Sequence, residues 1–418
     1  MDAHRSYIRL AGLEFLQVLL VLAVPVTIAL TSPSGEVRPE PPPATISPSR
    51  LATNWVWYRQ PPFPAPLWWL CCGYGDPRSA SGSSRNGDAR TSGTRAATIR
   101  TMSADAMNRV SIEPQSIVTP LSRAAVFLVL TIDPSAQALK QVTEVISDIG
   151  GLVRAVGFRD LQGHLSCNVG IGSNAWDRLK RPERPAQLRP FSEIRGAVHT
   201  APATPGDLLF HIRAERPDMC FDLERLILQA LGTSVTVQDE VQGFRYFDSR
   251  DLLGFVDGTE NPTGRALGQS ALIQSDDAPF EGGSYIVVQK YLHKLDRWQA
   301  LDTGSQEAIV GRTKLDNVEL EDAPNSASHK TLTTIVDEQG VEHDILRDNM
   351  PFGRPGHAEY GTYFIGYARN LWVIEQMLRN MFVGSKAGHH DRILDYSTAI
   401  TGSTYFAPSN SLLMELAG

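Results

Sequence analysis

Two stretches of this chain, about one domain length apart, share one build. LLFHIRAERPDMCFDLERLI (208–227) and TYFIGYARNLWVIEQMLRNM (362–381) each run from an apolar strand through a basic turn into an amphipathic helix. The elements around them recur in similar order. AAVFLVLTID (124–133), HLSCNVGIG (164–172) and DLLFHIRA (207–214) have the apolar density of buried strands. QALKQVTEVISDIGG (137–151) has a helical period ending at a Gly pair, SNAWDRLK (173–180) is a helix capped by Ser173, and DMCFDLERLILQALG (218–232) a helix closed by Gly232. Further on, GGSYIVVQKYL (282–292) is expected as a strand and LDRWQAL (295–301) as a helix. SHKTLTTIVD, HDILRDN and YGTYFIGYA are expected as strands, and NLWVIEQMLRNMF (370–382) as a helix. The fold class that accounts for this is α+β: two tandem β-α-β-β-α-β units whose antiparallel sheets carry helices on one face.

The first quarter of the chain is of another composition. Up to Asp105 it has ten Arg, seven acidic residues and no Lys, with twelve of the 27 Pro and four of the seven Trp. That stretch is therefore +3, and the rest of a chain of net charge −7 carries −10. An acidic body without basic runs argues against a nucleic-acid partner. The apolar run Val18–Leu30 is shorter than the ~20 residues that cross a bilayer, so no membrane span is expected. It has the length of a secretory h-region, but no clear A-x-A cleavage site follows it and the chain contains no Arg-Arg pair. Residues 1–110 are expected to be a disordered extension or the product of a start placed too far upstream, and the protein to be cytoplasmic. Export is the alternative if residues 13–30 are a genuine signal. Cys71 and Cys72 are adjacent and Cys167 and Cys220 stand alone, so no disulfide framework and no C-x-x-C-H is present.

Several motifs bear on chemistry. GIGSNA (170–175) matches the dinucleotide fingerprint but lacks the flanking βαβ repeats, so a tight strand-to-helix turn accounts for it better. His389, His390 and Asp391 are consecutive, and neighbours in sequence point apart, which makes a poor chelate. GFVDGTENP (254–262) holds Asp257 between Gly254 and Gly258, residues that permit positive φ or close backbone approach, and Pro262 ends it rigidly. On its own this is compatible with a plain Asp-Gly turn. In SHKTLTTIVDEQGVEHDILRDNMPFG (328–353), alternation along a strand projects Arg347 and Asn349 together and Leu346, Asp348 and Met350 the other way. His329 opens an apolar run, where a lone His is more often a satisfied core residue than a ligand.

Taken together, GFVDGTENP and the order Asp257, His329, Arg347, Asn349 resemble the dye-decolourising (DyP-type) haem peroxidases, in particular their bacterial B-type branch, over about residues 111–410. The resemblance implies two tandem ferredoxin-like domains, expected at 111–248 and 249–418, with one non-covalent haem b in the second. It also implies His329 as the proximal ligand of the haem iron, with Asp391 as the partner of its second ring nitrogen. Asp257, Arg347 and Asn349 fall on the distal side, and Gly258 belongs to the cofactor-binding motif. The implied function is oxidation of dyes and phenol-like donors by hydrogen peroxide through a ferryl intermediate. Asp257 would carry the proton that must move between the peroxide oxygens, Arg347 would stabilise charge on the leaving oxygen, and Asn349 would orient peroxide or water. Partners are then hydrogen peroxide and small organic reductants, with self-association into a homo-oligomer.

Electrons from large donors would pass through aromatic residues such as Trp298, Tyr246, Tyr363 or Trp372, each of which also fits ordinary packing. Glu260, Glu319, Glu321 and Glu342 fit either a hard-cation site for Mn²⁺ or a solvated face. Some relatives are encapsulin cargo addressed by a Gly- and Leu-rich tail, and no such tail follows SLLMELAG. The rival functional reading is a haem-handling protein, deferrochelatase-like, with incidental peroxidase activity. The distal Asp-Arg-Asn set favours catalysis, because a carrier has no need of it.

Overall fold

Ten strands make one continuous, wholly antiparallel sheet: β1 Ala124–Ile132, β2 Ser166–Gly172, β3 Leu208–Ala214, β4 Val235–Phe244, β5 Ser284–His293, β6 Leu346–Arg347, β7 Met350–Arg354, β8 Glu359–Ala368, β9 Ser397–Ala399 and β10 Ser403–Ala407. The computed structural model describes residues 112–324, 326–384 and 389–417, so the expectations for the first 110 residues lie outside the described part. Along the sheet the order is β6-β8-β5-β10-β2-β3-β1-β4, with β7 on β8 and β9 on β5. Counted within each repeat, both halves have the order second, third, first, fourth. The duplication seen in the sequence is thus a duplication of topology, two ferredoxin-like units side by side. They join where the last strand of the second unit pairs with the second strand of the first, Tyr405 opposite Gly172 and Phe406 opposite Ile171.

Alternation along the strands assigns the two faces. Val126, Leu128, Leu130, Phe210 and Ile212 point to the helices Ala136–Ser147 (α1), Ile149–Gly157 (α2) and Pro217–Leu231 (α3). Ala125, Phe127, Val129, Leu209, Ile365 and Tyr367 point the other way into a second core. There the sheet curls on itself, and Phe127 on β1 stacks on Tyr363 on β8 with ring centroids 4.2 Å apart. Both faces of the central strands are dry, which explains their unbroken apolar runs.

Three local expectations are corrected. The first helix does not stop at the Gly pair: α1 ends at Ser147, and α2 starts at Ile149 and runs through both glycines. Ser173 does not cap its helix; it lies inside Ser173–Arg178, is buried, and its Oγ accepts a hydrogen bond from Arg184 at 2.7 Å. SHKTLTTIVD is not a strand throughout. His329–Thr333 is a short helix (α4) capped by Ser328, whose Oγ accepts from the Thr331 N–H, and only Ile335–Val336 is extended. The glycines of GIGSNA serve packing: a Cβ at Gly172 would stand 2.5 Å from the Gly206 carbonyl and one at Gly170 2.9 Å from Tyr405 Cβ. Cys167 and Cys220 are free and buried.

The halves differ in what covers their sheets. In the first, α1 and α2 fill the helix-side slot with Val142, Val145, Ile146 and Ile149. In the second, short helices at 295–299, 303–310 and 329–333 replace them, with only Leu371–Phe382 (α5) of full length, and the slot stays hollow.

Candidate active site

The hollow holds about 1120 Å³ including its solvent-open mouth, and its lining is mostly apolar. Tyr291, His293, Thr362 and Phe364 form its floor on β5 and β8, and Met377, Leu378 and Met381 on α5 form one wall. Asp257, Arg347 and Asn349 line it together with His329, so the four residues singled out by sequence converge on one cavity.

The GFVDGTENP loop shapes the part of the lining that holds Asp257, Arg347 and Asn349. Gly254 has φ +95° and Gly258 φ +77°, values that exclude most other residues, and they fold the chain tightly around Asp257. Asp257 Oδ1 accepts from the Gly258 N–H at 2.7 Å and from Asn349 Nδ2 at 3.3 Å. Asn349 Oδ1 in turn accepts from the Ile365 N–H at 3.2 Å, tying the side chain to the sheet. The same loop secures Arg347 through Asn261, whose Oδ1 accepts from the Arg347 N–H at 2.9 Å and whose Nδ2 donates to the Arg347 carbonyl at 2.7 Å. The amide thus substitutes for a missing neighbouring strand. Arg347 Nε is buried without a hydrogen-bond partner.

Between Arg347 and Asn349, Asp348 points away, as strand alternation requires. It is buried, and Arg213 Nη1, itself buried on β3, donates to its Oδ2 at 2.8 Å. Arg213 Nη2 also donates to Thr119 Oγ1 at 2.8 Å and to the Ser116 carbonyl. His211 lies 3.9 Å from Asp348, but burial and the charge of Arg213 hold its pKa well below the usual range. It is therefore neutral and hydrogen-bonds the Tyr367 hydroxyl at 2.8 Å instead of completing an ion pair.

Ser328 starts the short helix that presents His329 to the same cavity. The His329 Nδ1–H donates to Asp391 Oδ2 at 2.6 Å. Asp391 is fully buried; its Oδ1 accepts from the Ile393 N–H at 3.0 Å and its own N–H donates to the Met381 carbonyl at 2.7 Å. With Nδ1 so engaged, the Nε2 lone pair of His329 is left for a ligand. The second histidine of the cavity differs. His293 has both ring nitrogens committed, to Ser397 Oγ at 2.7 Å and Thr362 Oγ1 at 2.9 Å, and burial depresses its pKa to about 4.

Reading the sequence alone missed Asn261, Asp251, His293 and the Arg213–Asp348 pair. Asn261 stood inside the motif, and its two-sided use as a strand surrogate was the available signal. Asp251 lines the cavity, and its carboxyl is pushed up to about 7, chiefly by burial, with the charge of Asp257 adding to the effect. Of the aromatic residues considered for electron passage, Trp298 and Tyr363 are fully buried, and Tyr246 and Trp372 are partly exposed. Trp298 packs between Phe255, which lines the cavity, and Tyr396. Glu260 and Glu319 both bind Arg312, and Glu319 also pairs with Lys330, so much of that acidic charge is already matched.

Comparison with known proteins identifies the family. The family descriptions "Dyp-type peroxidase, N-terminal" and "Dyp-type peroxidase, C-terminal" match residues 114–245 and 248–412. A dye-decolorizing peroxidase of Mycobacterium tuberculosis is 55% identical over 304 residues, 72% of this chain and 90% of that protein. One from Rhodococcus erythropolis is 52% identical over 301 residues, covering 72% and 88%. The crystal structure of DyPB from Rhodococcus jostii superposes with a TM-score of 0.70 at 58% identity, over 72% of this chain and 97% of that one, and variants of that protein have been solved with haem and with manganese. The encapsulated DyP-type peroxidase of Mycobacterium smegmatis gives a TM-score of 0.71 at 51% identity, over 73% and 98%. With both family halves matched in order and more than half of the aligned residues shared with a curated relative, the chain belongs to the Dyp-type peroxidase family.

Proposed function

We propose that the cavity binds one haem b non-covalently and that the protein uses hydrogen peroxide to oxidise dyes and phenol-like donors. The observation that carries the reading is His329. Among the described residues it is the one histidine lining the cavity whose Nδ1 is fixed by a buried carboxylate while Nε2 faces open space. Such a pairing orients the ring and strengthens it as a donor to a metal. The room available, the mostly apolar lining and the absence of a C-x-x-C-H motif fit a haem held without covalent attachment. Bound haem supplies the redox-active iron at which peroxide is reduced.

The remaining chemistry falls to side chains. Asp257, held by the Gly258 N–H and Asn349, is placed to take the proton from one peroxide oxygen and return it to the other. Arg347 lines the cavity and brings a permanent charge that would stabilise an oxygen gaining negative charge as the O–O bond breaks. Asn349 fixes Asp257 and offers an amide to peroxide or water. Asp251 adds a carboxyl that exchanges its proton near neutrality beside this group. A haem carrier needs only the His329 side; the joined Asp257–Asn349–Arg347 group supports a catalyst instead. We infer self-association from the family, and a cytoplasmic location from the missing twin-Arg signal. Among the described residues no helix is long and apolar enough to cross a membrane.

The test is spectroscopic. The full chain reconstituted with haem should give a Soret band, bleach a dye on adding peroxide, and lose the band in His329→Ala. A Soret band without turnover would leave only the carrier reading.

A further inference from the structure

A second group of ligand-type side chains lies outside the cavity. His199 is in the turn between the two-residue strands Ile194–Arg195 and Thr200–Ala201 of the first half. His390 and Asp395 flank the single turn Arg392–Asp395 of the second. Consecutive His389, His390 and Asp391 do not converge, as strand and helix geometry had implied. His390 turns instead toward a residue almost two hundred positions away. The Nε2 atoms of His199 and His390 lie 2.9 and 3.0 Å from the same oxygen, Asp395 Oδ1, and all three ligand atoms fall within 4.8 Å of one another. The rings stand edge to face with centroids 4.8 Å apart. The side chains are 18%, 15% and 33% exposed, so the group is sheltered yet reachable from solvent.

Hydrogen bonding explains this arrangement incompletely. Two imidazoles crowd onto one carboxylate oxygen while Asp395 Oδ2 takes no hydrogen bond from any described residue, and His390 Nδ1 is buried with no partner. The same three atoms also suit a metal ion. Ligands about 2.0–2.1 Å from a tetrahedral ion stand about 3.4 Å apart, so the N···O spacings of 2.9 and 3.0 Å need to open by only about 0.4 Å to admit one. Two neutral imidazoles and one carboxylate are the donors of a borderline divalent ion such as zinc, and too rich in nitrogen for Ca²⁺ or Mg²⁺.

We propose that His199, His390 and Asp395 bind one borderline divalent transition-metal ion, with Zn²⁺ as the probe and water completing the coordination. On binding, each Nε2 exchanges its hydrogen bond to Asp395 for a bond to the ion, and the single ring proton is carried on Nδ1 instead. The ion ties the hairpin of the first half to the loop that carries Asp391, the residue holding His329. With three protein ligands and an unsupported Nδ1 on His390, the affinity belongs in the micromolar range and not that of a closed four-ligand site.

The test is equilibrium dialysis of the chelator-treated, haem-loaded full chain against Zn²⁺, counting zinc by elemental analysis. One zinc per chain is expected at micromolar concentration. His199→Gln and Asp395→Asn should each weaken binding at least tenfold, whereas His389→Ala should not. Zinc should also raise the thermal midpoint of the native chain and of the His389 variant, but not of the other two. Absence of saturable binding in the native chain, or equal binding by all variants, would overturn the site. Because zinc is counted directly, a failed peroxidase assay leaves this result unaffected.

Discussion

At the scale of single residues, the distal group divides into parts that can be removed separately. Arg347→Ala keeps the His329 side intact, so haem should stay bound while reaction with peroxide slows by about 10²–10³-fold, the usual effect of losing one charge-stabilising donor. Stopped-flow spectra of the peroxide reaction check this, and unchanged rates would remove Arg347 from the role given to it. Asp251 predicts a pH effect. Its carboxyl, raised to about 7, holds a proton below neutrality and is ionised above it. A rate profile with an inflection near pH 7 is expected, and Asp251→Asn should flatten it. His293 works in the opposite sense on stability. Its pKa of about 4 lies below the ordinary 6.5, so protonation favours the unfolded chain. Its contribution is whole above pH 6.5 and is lost as pH falls toward 4, a loss of roughly 2 kcal/mol after allowing for its partial exposure. Thermal melts of haem-free protein between pH 4 and 7 should show that slope, and His293→Gln should reduce it.

At the scale of elements, the long apolar and amphipathic stretches were legible and the short polar ones were not. Leu208–Ala214 with Pro217–Leu231 and Glu359–Ala368 with Leu371–Phe382 lie where periodicity put them, because each buries a full face. SHKTLTTIVD misled because its β-branched Thr331, Thr333, Thr334, Ile335 and Val336 imitate a strand, while the capping signal, Ser328 three residues before Thr331, is local and weaker. The error matters for chemistry: a helix start, not a strand, aims His329. Asp257 and Gly258 were legible through the motif, and Asp391 only through family resemblance, since 62 residues separate it from His329. Asp251 had no sequence signal, because its proton affinity comes from burial that only the folded chain creates. Asn261 is the element-scale prediction. Asn261→Ala removes both hydrogen bonds that hold the Arg347 backbone, at about 0.5–1.5 kcal/mol each. The outcome expected is a modest drop in thermal midpoint with a larger loss in peroxide reactivity; a drop in stability alone would count against the positioning role.

At the scale of the molecule, the buried Arg213–Asp348 pair links the first half to the strand segment bearing Arg347 and Asn349. Breaking it one-sidedly strands a buried charge, so Arg213→Met should destabilise by about 3–5 kcal/mol. Arg213→Met combined with Asp348→Leu should recover much of that, and chemical denaturation of the three proteins measures the difference. Recovery of stability without recovery of peroxide reactivity would show that the pair orients the distal segment as well as supporting the fold.

The two halves share a topology but not an interior: one slot is packed with side chains and the other stands open. A lone unit with so large a void would forfeit much of its own cohesion. Here the hollow unit borrows rigidity through the β2–β10 seam from a neighbour that kept its filling. Severing the chain between the units would therefore strand the hollow one with a raw β-edge and too little core, and clumping is the expected fate of that fragment. In a duplicated protein of this kind, the copy that kept its filling is what allows its twin to be empty.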